Sequence, residues 1–441
     1  MSCGHDSPPE TMDNKLTLAA TRMFDGILKD LDVEYLQHGT LCVALNESEI
    51  GGLRKQRKIA VANGIYDVVD VTREWCLNHN PSLNPEVKAG LYIPGERIVD
   101  VMELMLAYIE NAMDNGVRIM LGTEALKINT DSEKQYVTSV TTNRGEIETK
   151  FVINCAAINA DKLGQSVGLC DYVNYPRYGQ YYVMDKDLPY KPYHTIIPLP
   201  SPISRGRLVT PTVHGNMLIG PSADNGWDRE DRSTTKETLE SVLASCRKLI
   251  PAIDPKDSIR QFKGVRPAKR PNNWQVRAHP AIKGYIEAVG ISQGVSAGPG
   301  VGVYVRELLD DEGLKLEVKD DYQPKRVSIR RFRDMTDKER AEAIREDPRY
   351  GNVICRCETV TEAEIIQAIH KGPGSRSVDS IKRRLRPGMG RCQGGFCSPR
   401  IVEILSRELG VSPTQIRLNE PGSEIVLRQN KGYESGGEND G

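Results

Sequence analysis

The sequence predicts an α/β (α+β) chain with an antiparallel sheet in its middle and a small helical module near its end. Three observations lead there. Strand-like and helix-like segments alternate through the N-terminal third. Between Tyr181 and Gly220, short alternating segments with Pro and Gly turns replace the helices. From Asn352 to about Gly410, cysteines and glycines interrupt helix-like runs.

The elements follow in chain order. "LTLAATRMFDGILKDL" (Leu16–Leu31) has apolar residues at helical spacing, and "GTLCVAL" (Gly39–Leu45) reads as a strand. "ESEIGGLRKQRKIAVANG" reads as a surface helix stopped at Gly64, and "ERIVDVMELMLAYIENAMDNG" as a long amphipathic helix closed by Asn-Gly. "VRIMLGTEALKI", "YVTSVTTN" and "GEIETKFVINCAA" give strands with a turn at Asn143-Arg144-Gly145. "QYYVMDK", "HTIIPLP" and "GRLVTPTVHGNMLIGP" supply the antiparallel sheet, and "TTKETLESVLASCRKLIP" a helix ended by Pro251. "GYIEAVGIS" is a strand running into a glycine-rich loop that becomes a helix. The expected organisation is a large domain over 1–320, a charged linker over 321–350, a cysteine module over 351–412 and a partly disordered tail over 413–441.

The 441 residues suffice for two or three domains with a large core. Net charge is −1, so no global basic footprint points to nucleic acid. No apolar run approaches the roughly 20 residues of a membrane helix, and "MSCGHDSPPE" lacks the pattern of a secretory signal. The expected location is cytoplasmic, or membrane-associated through a partner. Ten cysteines without such a signal point to reduced thiols or a metal site. Cys3, Cys42, Cys76, Cys155, Cys170 and Cys246 are scattered and read mostly as buried small hydrophobes.

The remaining four are clustered: Cys355-x-Cys357, a span of about 34 residues, then Cys392-x4-Cys397. Thiolates are soft ligands suited to Fe–S clusters and zinc. Thr361 and Glu364 make a capping-box pattern. Ser398-Pro399 has the chemistry of an N-cap and first helical position, so a helix N-terminus would face Cys397 and favour a thiolate. Gly388, Gly390, Gly394 and Gly395 let backbone approach the sulfurs. A cluster, a structural zinc and four metal-free thiols all remain open on spacing alone. The stretch "ICRCETVTEAEIIQAI…SVDSIKRRLRPGMGRCQGGFCSPRIVEIL" resembles the bacterioferritin-associated-ferredoxin-like [2Fe–2S] domain. The resemblance implies that Cys355, Cys357, Cys392 and Cys397 ligate a [2Fe–2S] cluster.

In the large domain, "KGVRPAKRP" sets Arg266 between turn-forming residues, where a guanidinium could be aimed at an anion; a solvated basic loop reads equally well. The run Gly290–Gly302 can present backbone N–H groups to an anionic ring or phosphate, or can simply be a tight turn. Seven segments in order resemble the FAD-dependent oxidoreductase family that includes D-amino-acid oxidase, in the branch of the glycerol-3-phosphate dehydrogenase catalytic subunit and its 2-hydroxyglutarate-oxidase-like relatives. They are "TRMFDGILKDLDVEYLQHGTLCVAL", "LYIPGERIVDVMELMLAYIENAMDNGVRI", "FVINCAAINADKL", "RYGQYYVMDK", "RLVTPTVHGNMLIGPSAD", "GVRP" and "GISQGVSAGPGVGVYV".

That resemblance implies a Rossmann-like FAD-binding domain with an antiparallel substrate-domain sheet. It implies that Ala125, Ala156 and Ala157 lie along the FAD adenine and diphosphate. Gly290, Ile291, Gly294, Val295 and Ser296 would face the flavin's pyrimidine edge, Arg266 would bind the substrate's acidic group, and Tyr182 would face the substrate. The implied activity is oxidation of a small anionic 2-hydroxy substrate, foremost glycerol 3-phosphate, with electrons passed to the cluster and on to an acceptor protein or partner subunit. A proline- or opine-type amine dehydrogenase of the same fold is the alternative enzyme. A non-catalytic iron–sulfur electron-transfer subunit is the alternative of another class.

The chain departs from the family at its start. The family opens with a strand, G-x-G-x-x-G and a helix that binds the pyrophosphate, and about 60 residues of that unit have no counterpart here. The true start is expected upstream, in preference to a unit supplied by another chain or a degenerate flavin part, and apolar sheet edges are expected where the unit would pack. Ser2 stands where the family commonly has histidine, His5 is expected at the surface, and Ala157 stands where glycine is usual.

Overall fold

Strand pairing through the middle of the chain builds one nine-stranded sheet in the computed structural model, which describes residues 1–201 and 204–428. The order is Asp224–Asn225, Val173–Met184, Met217–Gly220, Leu208–Pro211, Thr195–Pro198, Thr40–Ala44, Ala89–Ile93 and Val69–Thr72, with Ser258–Arg270 also paired to Val173–Met184. Neighbours run antiparallel except Thr195–Pro198 beside Thr40–Ala44. The expected antiparallel sheet is present, and it recruits N-terminal strands as well.

Alternation along these strands separates two cores. The helix Lys236–Leu249 presents Leu239, Val242, Leu243, Cys246 and Leu249 at helical spacing to Tyr182, Met184, Ile196, Val209 and Ile219. On the other side, Leu53 and Ala60 of the helix Ile50–Ala62 join Cys3, Cys42, Ala44, Leu91 and Ile93.

A smaller sheet orders Gln275–Ala278, Tyr285–Val289 and Val152–Asn154, the last two parallel. The helix Gly294–Asp311 follows directly from Tyr285–Val289 and packs on the helix Met12–Thr21. Gly300 makes that approach possible: a Cβ there would lie 2.1 Å from the Leu16 carbonyl oxygen. The outer strand Val152–Asn154 leaves Ile153 41% exposed. A three-stranded meander, Ala125–Thr130, Val137–Thr142 and Gly145–Glu148, completes this part.

Two helices differ from expectation. The single run over 16–31 is two helices, Met12–Thr21 and Phe24–Asp30, because the ladder tightens where Met23 N–H donates to the Ala20 carbonyl. The long helix begins at Val101 rather than near Glu96, because Ile98–Val99 pairs with Tyr35–Leu36 as a short ribbon.

The described residues divide into two compact units, the second gathering 30–32, 101–119 and 323–428. In it the hairpin Val353–Cys355/Val360–Thr361 precedes the helices Glu362–His370, Val378–Leu385 and Cys397–Leu409. The capping box at Thr361 and Glu364 forms as expected. The charged segment, read as a linker with one exposed helix, carries the capped helix Asp337–Glu346 and also buries Ile329, Phe332 and Tyr350. Glu110, on the helix Val101–Asp114, is buried and accepts from Arg326 Nε at 2.6 Å and from Arg384, with Lys371 Nζ at 3.2 Å. The part of the expected disordered tail beyond residue 428 lies outside the described residues.

Candidate functional site

The hairpin carries Cys355 and leads into Cys357, while the glycine turn and the start of the helix Cys397–Leu409 deliver Cys392 and Cys397. Cys355 and Cys397 are each 1% exposed; Cys357 is exposed and Cys392 half-buried. The thiols act on one another electrostatically in two pairs, Cys355 with Cys397 and Cys357 with Cys392. Interaction with the Cys397 thiol, with the Glu358 and Gly388 amides, brings the Cys355 thiol down to about 6 against the opposing effect of burial, and Cys397 is raised in return. Burial acts to raise the Cys392 thiol too, but the Gly394 amide, the Cys357 thiol and the Phe396 amide outweigh it and lower it.

The backbone here is cut to fit sulfur. A Cβ on Gly390 would sit 2.3 Å from Cys357 Cβ, and one on Gly394 would sit 2.6 Å from Ser398 Oγ at a φ of +91°. The helix starts at Cys397, earlier than the Ser398-Pro399 cap expected, because Ser398 N–H already donates to the Gly394 carbonyl. Cys397 therefore stands in the helix's first turn, whose dipole favours a thiolate, but its interaction with Cys355 and its burial outweigh that and keep it protonated in the metal-free chain.

Tetrahedral zinc brings four sulfurs within about 3.8 Å of one another. Among the described residues, the group whose ligand atoms all lie within 4.8 Å is Cys3, His5 and Glu96, not three of these sulfurs. Four thiols, two delivered by the hairpin and two by the turn–helix junction, are the soft donor set that a binuclear iron–sulfur cluster takes, so the residues fit one.

In the other unit, Arg266 lies on Ser258–Arg270 opposite Arg177. Its Nη2 donates to the Ser222 carbonyl at 3.0 Å and more weakly to the Tyr178 carbonyl at 3.4 Å, while its buried Nε has no partner. Burial lowers its pKa from the usual value, the mark of a guanidinium held with little solvent. Phe262 lies opposite Tyr181 on the same strand pair, their rings stacked at 5.0 Å. Residues directly opposed share a face, so Arg266, Arg177, Phe262 and Tyr181 lie together. Tyr182, expected toward the substrate, points the other way into the core beneath the helix Lys236–Leu249 and is 6% exposed. The neighbouring Tyr181 shares the face of Arg266.

Gly290 ends the strand Tyr285–Val289 at a φ of +73°, where a Cβ would meet the Asn273 carbonyl at 2.8 Å. Ile291 is half-buried, and the helix begins at Gly294 after Gln293, whose Oε1 is buried without a partner. Nothing stands within 4 Å of a Cβ on Gly294, so that helix start faces open space; Val295 is 44% exposed and Ser296 is buried, accepting from Ser2 N–H at 2.8 Å. Ala125, Ala156 and Ala157 are exposed, and Ala157 has a φ of +49°, the left-handed backbone that suits the glycine usual there. Open helix N–H groups and orphaned buried polar atoms are what an anionic ring edge requires, so these residues fit a flavin there.

His5 is not at the surface. It is 4% exposed, with Nδ1 3.0 Å from Glu96 Oε1. Burial acts to lower its pKa, but the charge of Glu96 outweighs that and raises it to about 10. Of the six scattered cysteines, four are buried as expected, and Cys155 and Cys170 are exposed.

A model of the family described as FAD dependent oxidoreductase matches residues 2–308, some two thirds of the chain. The chain belongs to the FAD-dependent oxidoreductase family. A second family, the BFD-like [2Fe-2S] binding domain, matches residues 353–407 of this oxidoreductase and holds all four clustered cysteines. The oxidoreductase is 37% identical over 429 residues to a glycerol 3-phosphate dehydrogenase of Caloramator mitchellensis, covering 97% of this chain and 89% of the relative. It is 28% identical to a glycerol 3-phosphate oxidase of Mycoplasma pneumoniae over 73% of this chain and 85% of that one. The solved structure of the dithionite-reduced L-alpha-glycerophosphate oxidase of Mycoplasma pneumoniae with FAD bound superposes with a TM-score of 0.68 at 26% identity, covering 74% of this chain and 86% of that one. L-proline dehydrogenase from P. horikoshii, at 22% identity and a TM-score of 0.62 over 70% of this chain and 82% of that one, shares the fold. No helix among the described residues is long and apolar enough to cross a membrane.

Proposed function

We propose that this oxidoreductase is a flavin-dependent dehydrogenase that oxidises glycerol 3-phosphate and passes the electrons to its own [2Fe–2S] cluster. The observation that carries the reading is the similarity to a glycerol 3-phosphate dehydrogenase over 97% of the chain, a span that includes the cysteine module. Bound FAD would supply the acceptor for the hydride leaving the carbinol carbon, and the cluster would take electrons one at a time.

The chain's own residues bind and orient. Arg266 offers the phosphate a fixed guanidinium whose charge is already desolvated, so pairing with a dianion there is stronger than at a wet surface. The stacked Tyr181 and Phe262 would wall that face with rings beside the carbinol end. Gly290, Ile291, Gly294, Val295 and Ser296 would hold the flavin's pyrimidine edge, where helix N–H groups favour negative charge on the reduced ring. Ala125, Ala156 and Ala157 would lie along its adenine and diphosphate. Cys355, Cys357, Cys392 and Cys397 would ligate the cluster, the buried pair away from solvent and the other pair toward it. The electrons then leave to an acceptor protein or partner subunit.

Anaerobic addition of glycerol 3-phosphate should bleach the flavin bands and generate the reduced-cluster EPR signal. Bleaching by proline or glycine but not by glycerol 3-phosphate would overturn the substrate. Cys392→Ser should keep the bleaching and lose the EPR signal.

A further inference from the structure

We propose that Cys3, His5 and Glu96 form a second metal site, separate from the iron–sulfur cysteines, that binds one zinc ion. The three ligand atoms all lie within 4.8 Å of one another. His5 Nδ1 is 3.0 Å from Glu96 Oε1 and 3.9 Å from Cys3 Sγ. Tetrahedral zinc with ordinary bond lengths sets nitrogen–oxygen and nitrogen–sulfur separations of about 3.3–3.6 Å. The observed pair brackets that range, so small side-chain adjustments place an ion between the three.

The surroundings support a built site rather than a chance contact. Cys3 is 3% and His5 4% exposed. Glu96 Oε1, the oxygen turned toward His5, is buried and pairs with the imidazole at 3.0 Å. Its other oxygen accepts from Thr40 Oγ1 at 2.6 Å, which fixes the carboxylate's orientation as outer partners of metal ligands do. A thiolate, a carboxylate and a neutral imidazole balance the charge of a divalent ion, which removes the main penalty of burying it. Sulfur, nitrogen and oxygen donors together suit zinc better than the hard cations magnesium and calcium. Three protein ligands leave a fourth position for water or a small anion.

The ligands come from two places. Cys3 and His5 lie in the first residues, and Glu96 in the turn between the strands Ala89–Ile93 and Ile98–Val99. An ion would clip these segments together. Ser2, next to Cys3, donates to Ser296 in the first turn of the helix Gly294–Asp311, so the clip would also steady that helix start. Without an ion the His5 imidazole faces both the Glu96 carboxylate and the Cys3 thiol, the same three groups that the metal would join.

The test uses the full chain with its FAD and cluster, loaded anaerobically with zinc and dialysed against metal-free buffer. Elemental analysis should return stoichiometric zinc alongside undiminished iron. Zinc-edge X-ray absorption should show one sulfur and three lighter donors. Cys3→Ser should remove the sulfur shell, and Cys3→Ser and Glu96→Gln should weaken zinc retention by more than roughly a hundredfold, since changing even outer partners of ligands costs about 10–100-fold. Cys392→Ser should lose iron and keep this zinc. Absence of retained zinc, or zinc surrounded by four sulfurs, would overturn the site. So would unchanged affinity in the Cys3 and Glu96 variants. The wild-type sulfur count needs no variant to fold.

Discussion

Gly390→Ala tests the sulfur cradle with one methyl group. The added Cβ would lie 2.3 Å from Cys357 Cβ, where ordinary contact begins at 3.4 Å, so Cys357 or the turn must move by about an ångström. Metal ligands tolerate displacements of about 0.2 Å. The shift is thus several times what cluster assembly accepts. Gly390 is not among the left-handed residues, so alanine's own backbone preference adds no strain and the effect isolates the steric clash. Overpacking of this kind destabilises by about 1–3 kcal/mol, which the module can absorb and still fold. The assay is iron and acid-labile sulfide per chain after anaerobic reconstitution, with the reduced-cluster EPR spectrum and FAD content measured in parallel. Iron and sulfide should fall well below the wild-type ratio while FAD content holds. Full iron with an unaltered EPR spectrum would refute the claim that glycine is there to admit the ligand.

Three more outcomes are expected. Arg266→Met removes the guanidinium proposed for the phosphate; with about 1.5–3 kcal/mol per charged hydrogen bond and two such bonds, kcat/KM for glycerol 3-phosphate should fall by roughly a hundredfold to ten-thousandfold, and steady-state kinetics on the loaded enzyme reads it. Glu110→Ala leaves Arg326 and Arg384, 6% and 5% exposed, facing each other without their shared carboxylate. That should cost about 3–5 kcal/mol of stability, seen as a lower urea midpoint. Burial acts to raise the Glu110 carboxyl, but Arg326, Arg384 and Lys371 together lower it. Its contribution is therefore present above the ordinary carboxylate range and lost as pH falls below it. In the zinc-free chain the raised His5 works in the opposite sense: its stabilisation is fully present below 6.5 and is lost as pH rises toward about 10. The difference in Tm between wild type and His5→Gln should narrow across that interval.

Local chemistry made much of this protein legible. The C-x-C and C-x4-C spacing with its glycines specified where four thiols gather, because the ligands come from a tight hairpin and one turn–helix junction. The Thr361 cap and the strand Tyr285–Val289 running into Gly294–Asp311 were equally readable, since neighbours in sequence decide them.

Other features depend on residues far apart in sequence, which pattern alone does not bring together. Whether Tyr181 or Tyr182 faces Arg266 rests on the pairing register of two strands some eighty residues apart, and a shift of one residue reverses the answer. His5 reads as a surface histidine until the fold brings Glu96 to it, and only then do the opening residues acquire a buried charge and a ligand geometry. The helix Val101–Asp114 has an amphipathic pattern that does not name its partner. Tertiary structure decided that Glu110 would meet Arg326, Arg384 and Lys371, because a buried carboxylate is stable only where cations converge on it.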